Sequence, residues 1–258
     1  MGVEVRQFIC LTDNFGLLVH DQETGAVASI DAPDADAIAA ELRRLGWRLT
    51  DILITHHHMD HIQGVAGLKA LYPQARVVGP RRDERRIPGL ELGVGEGDIV
   101  RVGNTSARVI EAPGHTTGHI LYHFEDDDIL FVGDVLFSLG CGRVFETSME
   151  VMYDSLARIA QLPQETQVYC GHEYTQANAR FALTVDPRNP LLLERAREVD
   201  ALRAAGQATL PTTIALELAT NPFLRTEDIE VQKTLGLYNA DPVLVFADMR
   251  ERKNGFKS

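Results

Sequence analysis

One seven-residue segment holds four histidines and a carboxylate side chain: Thr55-His56-His57-His58-Met59-Asp60-His61. It directly follows the apolar residues 51–54, which predict a buried strand that delivers ligands at its carboxyl end. His56 and His58 lie two residues apart, so they project to the same side of an extended chain. Asp60 and His61 follow on the turn and can face a second centre. Since a catalytic zinc uses about three protein ligands, the spacing indicates two adjacent metal ions.

Three later segments repeat this design. In each, a strand-like run and a glycine precede a side chain that can bind metal: His115, Asp134 and His172. A glycine allows the backbone to turn sharply and to approach its neighbours closely, so the next side chain is placed at the end of the sheet. We therefore expect these three side chains to complete the ligand set for two ions.

The seven candidate ligands resemble, in kind and in order, the motif of the metallo-β-lactamase superfamily. The resemblance implies an αββα sandwich fold. It also implies that three side chains hold the first ion: His56, His58 and His115. Three others then hold the second ion: Asp60, His61 and His172. By the same resemblance, Asp134 bridges the two ions.

Four further segments resemble glyoxalase II, the hydroxyacylglutathione hydrolases: residues 141–146 (CGRVFE), 171–175 (GHEYT), 221–225 (NPFLR) and 250–256 (RERKNGF). This resemblance spans nearly the whole chain and implies five residues that bind the glutathione half of the substrate: Arg143, Phe145, Tyr174, Arg250 and Lys253. Arg143 stands where a lysine is usual, which keeps the charge but changes its geometry. Phe145 stands where a tyrosine is usual, so a hydroxyl contact to the substrate is missing.

The implied reaction converts S-D-lactoylglutathione and water to D-lactate and glutathione, a step of methylglyoxal detoxification. Two ions that share a water lower its pKa towards ~7, and Asp60 orients the resulting metal-bridging hydroxide as the catalytic side chain. The leaving thiolate has a pKa near ~8.5, so it departs without a strong general acid. The chain has no Gly-x-Ser-x-Gly motif that would indicate a serine hydrolase.

Three alternatives remain open. A persulfide dioxygenase of the same superfamily would use one iron, whereas this chain keeps the full second ligand set and a basic carboxyl-terminal segment. A lactonase or β-lactamase would not need Arg250 or Lys253. A protein that binds metal without catalysis is the third alternative. Histidine and carboxylate ligands suit zinc, iron and manganese. We expect two divalent ions and favour zinc for both.

Composition places further bounds on function. The chain has 258 residues, 45% of them hydrophobic, which is enough for a full core in one domain or two. Its net charge of -12 argues against a nucleic-acid partner and thus against a nuclease of the superfamily. No apolar run approaches the ~20 residues of a membrane span. Residues 1–6 are too charged for a secretory signal, and we expect a cytoplasmic monomer that acts on a small-molecule thioester.

The odd number of cysteines, three, predicts buried thiols and no disulfide framework.

The elements that must position the ligands follow from periodicity. Strands are predicted at 3–9, 15–20, 26–30, in the group 98–133 and at 168, and early helices at 35–45, 64–72 and 150–161. After His172 the pattern becomes helical, with helices at 174–184, 191–205, 226–235 and 242–253. We therefore place a domain boundary there: residues 1–172 form the catalytic α/β domain and residues 173–258 a helical, glutathione-binding domain.

Several conspicuous residues have simpler interpretations. His57 lies between two ligands and points the opposite way in an extended chain, which favours a supporting or core position. His119, four residues beyond His115, is more typical of a structural histidine. The mixed-sign run at residues 81–86 predicts a solvated loop. Without the family resemblance, Arg250 and Lys253 would be an ordinary basic helix end.

Overall fold

The computed structural model describes residues 2–256 as two units. Unit 1 comprises residues 2–112 and 116–133, and unit 2 comprises residues 113–115 and 134–256. Unit 1 therefore contains four of the predicted ligands: His56, His58, Asp60 and His61. Unit 2 contains the other three: His115, Asp134 and His172. Within residues 2–256 no helix is long and apolar enough to cross a membrane.

The first sheet of unit 1 places the histidine segment at the end of a parallel strand. Its strands follow chain order: β1 (Val3–Ile9), β2 (Phe15–Asp21), β3 (Val27–Ile30), β4 (Asp51–Leu53), β5 (Arg76–Pro80) and β6 (Leu92–Val94). The first three pair antiparallel, and β3 to β6 pair parallel. Parallel neighbours need crossover connections. Helix α1 (Ala35–Leu45) connects β3 to β4, helices α2 (Met59–Ile62) and α3 (Val65–Leu71) connect β4 to β5, and a segment with a 3₁₀ turn connects β5 to β6.

Helix α1 is defined at both ends by its sequence. The side chain of Asp34 accepts hydrogen bonds from the backbone N–H groups of Asp36 and Ala37, and Gly46 ends the helix with a left-handed φ of 71°. Between these caps one face is apolar and buries three side chains: Ile38, Ala39 and Leu42. Burying a side chain of the size of Ile or Leu contributes about 1.5–3 kcal/mol, which fixes the crossover against the sheet.

An antiparallel meander forms the rest of unit 1. Its strands are β7 (Ile99–Val102), β8 (Thr105–Glu111), β9 (Ile120–Phe124) and β10 (Ile129–Gly133). All residues of β9 and β10 are buried. The Tyr122 hydroxyl on β9 donates to the backbone oxygen of Ile54 at 2.9 Å, and the N–H of Ile120 donates to that of Thr55 at 3.0 Å. Strand β9 therefore fixes the backbone from which the histidine segment starts.

Unit 2 combines short strands with most of the helices. The strands pair antiparallel as β11 (Leu136–Phe137) with β12 (Gly140–Cys141), and β13 (Gln167–Cys170) with β14 (Thr212–Thr213). The helices are α4 (Met149–Ile159), α5 (Thr175–Val185), α6 (Pro190–Ala204), α7 (Ile214–Thr220), α8 (Ile229–Leu235) and α9 (Pro242–Gly255). Rings of Tyr153, Phe223 and Phe246 pack together at centroid distances of 5.9 Å, which joins α4 to α9.

Most predicted elements are confirmed, and two differences stand out. Strand β1 and helix α1 have the predicted bounds, and the helices after His172 differ by a few residues at their ends. The sequence analysis did not predict helices α2 and α7 or the strands β5, β6, β11, β12 and β14. The run at residues 81–86 is not simply a solvated loop, because it forms a 3₁₀ turn at Arg81–Asp83 and buries Asp83 to 1% exposure.

All three cysteines are buried free thiols, as predicted. Burial raises the pKa of Cys10 to about 12 and also raises the pKa values of Cys141 and Cys170. Since a thiolate is the reactive form of cysteine, none of these thiols is suited to act as a nucleophile at neutral pH.

Candidate metal centre

The histidine segment of unit 1 turns its side chains towards one another at the end of β4. The ring of the fully buried His56 lies 4.8 Å from that of His58 and 4.1 Å from that of His61, between centroids. Oδ2 of Asp60 lies 3.5 Å from Nε2 of His61. His58 is still extended, and α2 begins at Met59, which turns the next two side chains back towards it. The predicted ligands of unit 1 therefore form one cluster.

Asp31, in the turn after β3, anchors two of these histidines. Its Oδ2 lies 2.8 Å from Nδ1 of His61. The same carboxylate accepts the backbone N–H of Thr55 at 2.7 Å and the Thr55 hydroxyl at 2.8 Å. That hydroxyl lies 3.0 Å from Nδ1 of His56. Because Nδ1 of each ring is engaged by the protein, Nε2 is the atom that each ring offers to a metal ion.

Sequence reasoning missed Asp31, because it stands 24 and 30 residues before its partners Thr55 and His61. Its backbone has a left-handed φ of 58°, which is unusual for a residue other than glycine. Such a conformation persists where the surrounding structure holds it, and here the buried hydrogen bonds of its side chain do so.

Asn14 orients the remaining carboxylate of the cluster. Its Nδ2 donates to Oδ2 of Asp60 at 3.0 Å and to the backbone oxygen of Asp60 at 3.2 Å. Asn14 is only 5% exposed, so Asp60 receives these hydrogen bonds from a buried side chain. The sequence analysis did not single out this residue, since an asparagine between two strands is an ordinary turn residue.

His57 points away from the cluster, as its place in the alternation predicts. Its Nδ1 lies 3.0 Å from Oδ2 of the buried Asp83, and its Nε2 lies 3.1 Å from Nη1 of Arg86. This contact also explains why part of the 81–86 run is buried. His119 is 1% exposed and stacks on the His56 ring at 4.6 Å, in agreement with a structural position.

The three predicted ligands of unit 2 form a second buried cluster. Oδ2 of Asp134 lies 3.6 Å from Nε2 of His115 and 3.3 Å from Nε2 of His172. The three residues are 4–6% exposed. Nδ1 of His115 lies 2.8 Å from the backbone oxygen of Arg143, which again leaves Nε2 for a metal ion. One carboxylate oxygen of Asp134 therefore lies close to two imidazoles.

Gly133 is the glycine whose conformation matters most for this cluster. It has a left-handed φ of 49° immediately before Asp134. A side chain at this position would also meet the Thr55 hydroxyl at 2.6 Å and the His119 ring at 2.8 Å. Only glycine adopts this φ readily and also fits the space available, which confirms the sequence-based expectation of a sharp turn before Asp134.

Three of the predicted substrate-binding residues lie beside the unit 2 ligands. The Tyr174 ring stacks on His172 at 4.6 Å with an angle of 7°. The ring of Phe145, which is 60% exposed, meets the edge of His115 at 5.3 Å. Arg143 is exposed. Two aromatic rings thus lie against candidate metal ligands of unit 2.

The two predicted substrate-binding residues of α9, Arg250 and Lys253, differ in their surroundings. Arg250 is 3% exposed, donates from Nη1 to the backbone oxygen of Cys141 at 2.7 Å, and lies over the Phe223 ring at 5.3 Å. Lys253 is half-buried and donates to the backbone oxygen of Ala177 at 3.0 Å. Burial, together with the nearby Arg250 charge, lowers the pKa of Lys253 to about 8. Arg250 is thus engaged within unit 2, whereas Lys253 is the more accessible cation.

The donor chemistry of both clusters fits divalent metal ions. Each combines imidazole nitrogens with carboxylate oxygens, and three of the histidines, His56, His61 and His115, are anchored through Nδ1. Asp31, His56 and His61 offer atoms within 4.8 Å of one another. Such sets suit zinc, iron and manganese, and they support either Lewis-acid catalysis or the activation of water.

Comparisons with known proteins place this architecture in a class. A family model of the metallo-β-lactamase superfamily matches residues 23–172. The crystal structure of ETHE1 from Myxococcus xanthus superposes with a TM-score of 0.64 at 29% identity, covering 97% of this chain and 98% of that one. The chain is therefore a metallo-β-lactamase-fold protein of the α/β class, as predicted.

The carboxyl-terminal part and the curated relatives define the family. A model of the hydroxyacylglutathione hydrolase C-terminus matches residues 173–256. A hydroxyacylglutathione hydrolase of Rhodopseudomonas palustris strain BisA53 is 55% identical over 98% of this chain and 99% of its own length. One from Chelativorans sp. strain BNC1 is 52% identical over 99% of this chain and its own full length. The chain belongs to the hydroxyacylglutathione hydrolase family, the thioester hydrolases also called glyoxalase II. This membership disfavours the dioxygenase and lactonase alternatives.

Proposed function

We propose that this chain hydrolyses S-D-lactoylglutathione to D-lactate and glutathione in the detoxification of methylglyoxal. The observation that carries this proposal is the 55% identity to a hydroxyacylglutathione hydrolase over 98% of the chain. The complete ligand set, in the order that the resemblance implies, supports it. Burial of all three thiols removes the cysteines as competing nucleophiles.

The proposed metal centre uses the seven ligands that the family resemblance implies. Three side chains hold the first ion: His56, His58 and His115. Three hold the second: Asp60, His61 and His172. Asp134 bridges the two, in keeping with its position near two imidazoles of unit 2. We favour zinc in both positions, and iron and manganese suit the same donors.

The protein's own side chains position the reaction. When bound, two divalent ions supply a water of lowered pKa and stabilise negative charge on the thioester oxygen. Asp60, held by Asn14 at 3.0 Å, accepts a hydrogen bond from the attacking water and so directs its lone pair. The leaving thiolate has a pKa near ~8.5, so no side chain has to protonate it before it departs.

The glutathione half is held by residues of the helical part and the Cys-Gly segment. We assign to this role Arg143, Phe145, Tyr174, Arg250 and Lys253. Glutathione presents carboxylates, and a half-buried lysine can form a charge-assisted hydrogen bond to one of them. Phe145 provides only an apolar face where the family usually has a tyrosine hydroxyl.

Three further assignments belong to the same proposal. The domain boundary lies at residue 172, with a catalytic part before it and a glutathione-binding part after it. The protein acts as a monomer, which size-exclusion chromatography with light scattering tests. It acts in the cytoplasm, and cell fractionation tests that assignment.

The test of function is a thioester assay beside an elemental analysis of one preparation. Loss of S-D-lactoylglutathione, with release of one thiol per turnover, is the expected result. Oxygen uptake with glutathione persulfide in place of thioester hydrolysis would contradict the proposal and support the dioxygenase. Asp134→Ala should reduce metal content by more than one ion, because the bridge serves both.

A further inference from the structure

The hairpin of β11 and β12 carries contacts to two of the unit 2 ligands. It starts two residues after Asp134, and the residue after its second strand, Gly142, donates its N–H to the backbone oxygen of Val135 at 3.1 Å. A Cβ at Gly142 would lie 2.0 Å from the backbone oxygen of Asp134, so the returning strand passes directly against the ligand's own backbone. The next residue, Arg143, accepts the hydrogen bond from His115.

The turn of this hairpin is held from one side by a buried polar network. The Nδ2 atom of Asn221 donates to the backbone oxygens of Gly140 at 2.9 Å and Phe137 at 3.2 Å. Glu217 accepts the backbone N–H of Leu139 at 2.8 Å and the Asn221 amide at 2.9 Å. Glu217 and Asn221 are both 0% exposed. A buried carboxylate raises the cost of folding unless donors surround it, and burial does raise the pKa of Glu217.

The turn needs such a clamp because its backbone is not self-supporting. Leu139 has a left-handed φ of 60°, a conformation that leucine rarely adopts. Its N–H has Glu217 as its acceptor, and Asn178 adds a hydrogen bond to the backbone oxygen of Ser138 at 3.1 Å. These backbone N–H and C=O groups of the turn thus find hydrogen-bond partners in side chains from α5, α7 and the residue after α7.

We infer that Glu217 and Asn221 are positioning residues, which hold the hairpin so that the Arg143 backbone oxygen fixes the ring of His115 for metal binding. The inference rests on the proposed function, since it takes His115 and Asp134 as metal ligands. It assigns a task to the Asn-Pro-Phe-Leu-Arg segment that the family resemblance alone does not give. Glu217 and Asn221 act through the hairpin and touch neither the substrate nor an ion.

The experiment compares two alanine variants at the end of the same helix. Asn221→Ala removes the clamp. Thr220→Ala is the matched control, because Thr220 is equally buried and loses a hydrogen bond to Leu216 within α7 without a contact to the hairpin. The zinc affinity of each metal-free variant is measured by competition with a chelating dye, and its melting temperature is recorded. Outer contacts of metal ligands typically change affinity by about 10–100-fold, and we expect a loss of that size in Asn221→Ala beyond that of Thr220→Ala.

A second pair of variants covers the case in which Asn221→Ala does not fold. Glu217→Gln keeps an oxygen for the N–H of Leu139, whereas Glu217→Leu has a similar volume and keeps none. The inference expects the glutamine variant to retain nearly the parent's zinc affinity and the leucine variant to lose about ten-fold or more. Equal zinc affinity in the members of either pair, despite different melting temperatures, would overturn it.

A measurement without metal separates this inference from the proposed function. The ¹⁵N shifts of the His115 ring in metal-free protein should show a protonated Nδ1 in the parent and a mixture of tautomers in Asn221→Ala. Unchanged shifts would contradict the clamp. A parent that binds no zinc but shows the expected shifts would instead contradict the proposed function alone.

Discussion

Each of the three best-anchored histidines is oriented through the ring nitrogen that the protein itself engages. His61 is held by Asp31, His56 by Thr55, and His115 by a backbone oxygen. This arrangement selects the tautomer that leaves Nε2 for an ion, and it costs little reorganisation when the ion binds. It also divides the histidines into ligands and supports, a division that single substitutions can test.

The pair His57 and His58 offers the sharpest residue-scale comparison. We expect His57→Asn to retain two ions and substantial activity, because its ring contacts Asp83 and Arg86. His58→Asn should lose the first ion and nearly all turnover. Elemental analysis and thioester hydrolysis on both variants check this. Equal metal loss in the two would show that His57 is also a ligand.

Asp31→Asn tests the anchor that the sequence analysis missed. The substitution removes one acceptor from a carboxylate that serves Thr55 and His61, so zinc affinity should fall about 10–100-fold. Competition with a chelating dye measures it. The control is Asp34→Ala, which removes the cap of α1 at a cost of about 1 kcal/mol in stability and should leave zinc affinity unchanged. A parallel loss of affinity in both variants would reduce Asp31 to a general stabilising residue.

The grouping of the candidate ligands could be predicted from the sequence, and the residues that support them could not. The ligands follow strands at short, fixed spacings, so type and periodicity suffice for His56, His58 and Asp60. Their supports come from distant turns, and neither Asp31 nor Asn14 differs in sequence from an ordinary turn residue. His57 was the exception, since alternation in the extended segment determines its direction.

Among the elements, α9 carries Arg250 in a buried position and Lys253 in a half-buried one. We expect the lowered pKa of Lys253 to make substrate binding dependent on pH. The pKa of Lys253 is lowered to about 8 by burial and by the charges of Arg250 and Arg143. Lys253 therefore carries its charge below about pH 8 and loses it as the pH rises through that value. We expect the KM for S-D-lactoylglutathione to rise by up to about ten-fold between pH 7 and 9, since a charge-assisted hydrogen bond is lost as Lys253 loses its proton.

Matched variants isolate this effect from the pH dependence of the chemistry. Lys253→Arg keeps its charge and should flatten the pH profile of KM, whereas Lys253→Met should raise KM at all pH values. A small thioester without the glutathione moiety should show neither change. If Lys253→Met handled S-D-lactoylglutathione like the parent, Lys253 would be only a helix-end residue. Arg250 is less suitable for this test, because its removal also breaks the contact to Cys141.

The predicted helices share regular periodicity, and helix α7, one of several short elements that were missed, does not. Helix α1 has a capping aspartate, an apolar face and a terminal glycine. Helix α7 spans only Ile214–Thr220, and it buries Glu217, a residue that sequence patterns place on the surface. Hydrogen bonds to the β11–β12 hairpin hold this end of the helix. Asn221 bonds to residues that lie 81 and 84 positions earlier in the sequence.

At the scale of the whole molecule, metal binding and folding are linked, because the proposed ligands are distant in sequence and are brought together only in the folded chain. An ion that binds only the folded state raises the free energy of unfolding, and the increase grows with the logarithm of the ratio of ion concentration to Kd. We expect removal of the metal by a chelator to lower the melting temperature, and zinc to restore it. The His57→Asn variant serves as a control that keeps both ions. A melting temperature that is independent of metal would contradict the assignment of buried ligands in both units.

The most direct measurement of the central claim is a titration of metal-free protein with zinc while hydrolysis of S-D-lactoylglutathione is followed. A binuclear thioester hydrolase predicts that activity rises from near zero and reaches its plateau at two equivalents of zinc per chain. A plateau of full activity at one equivalent, or no hydrolysis at two, would contradict it.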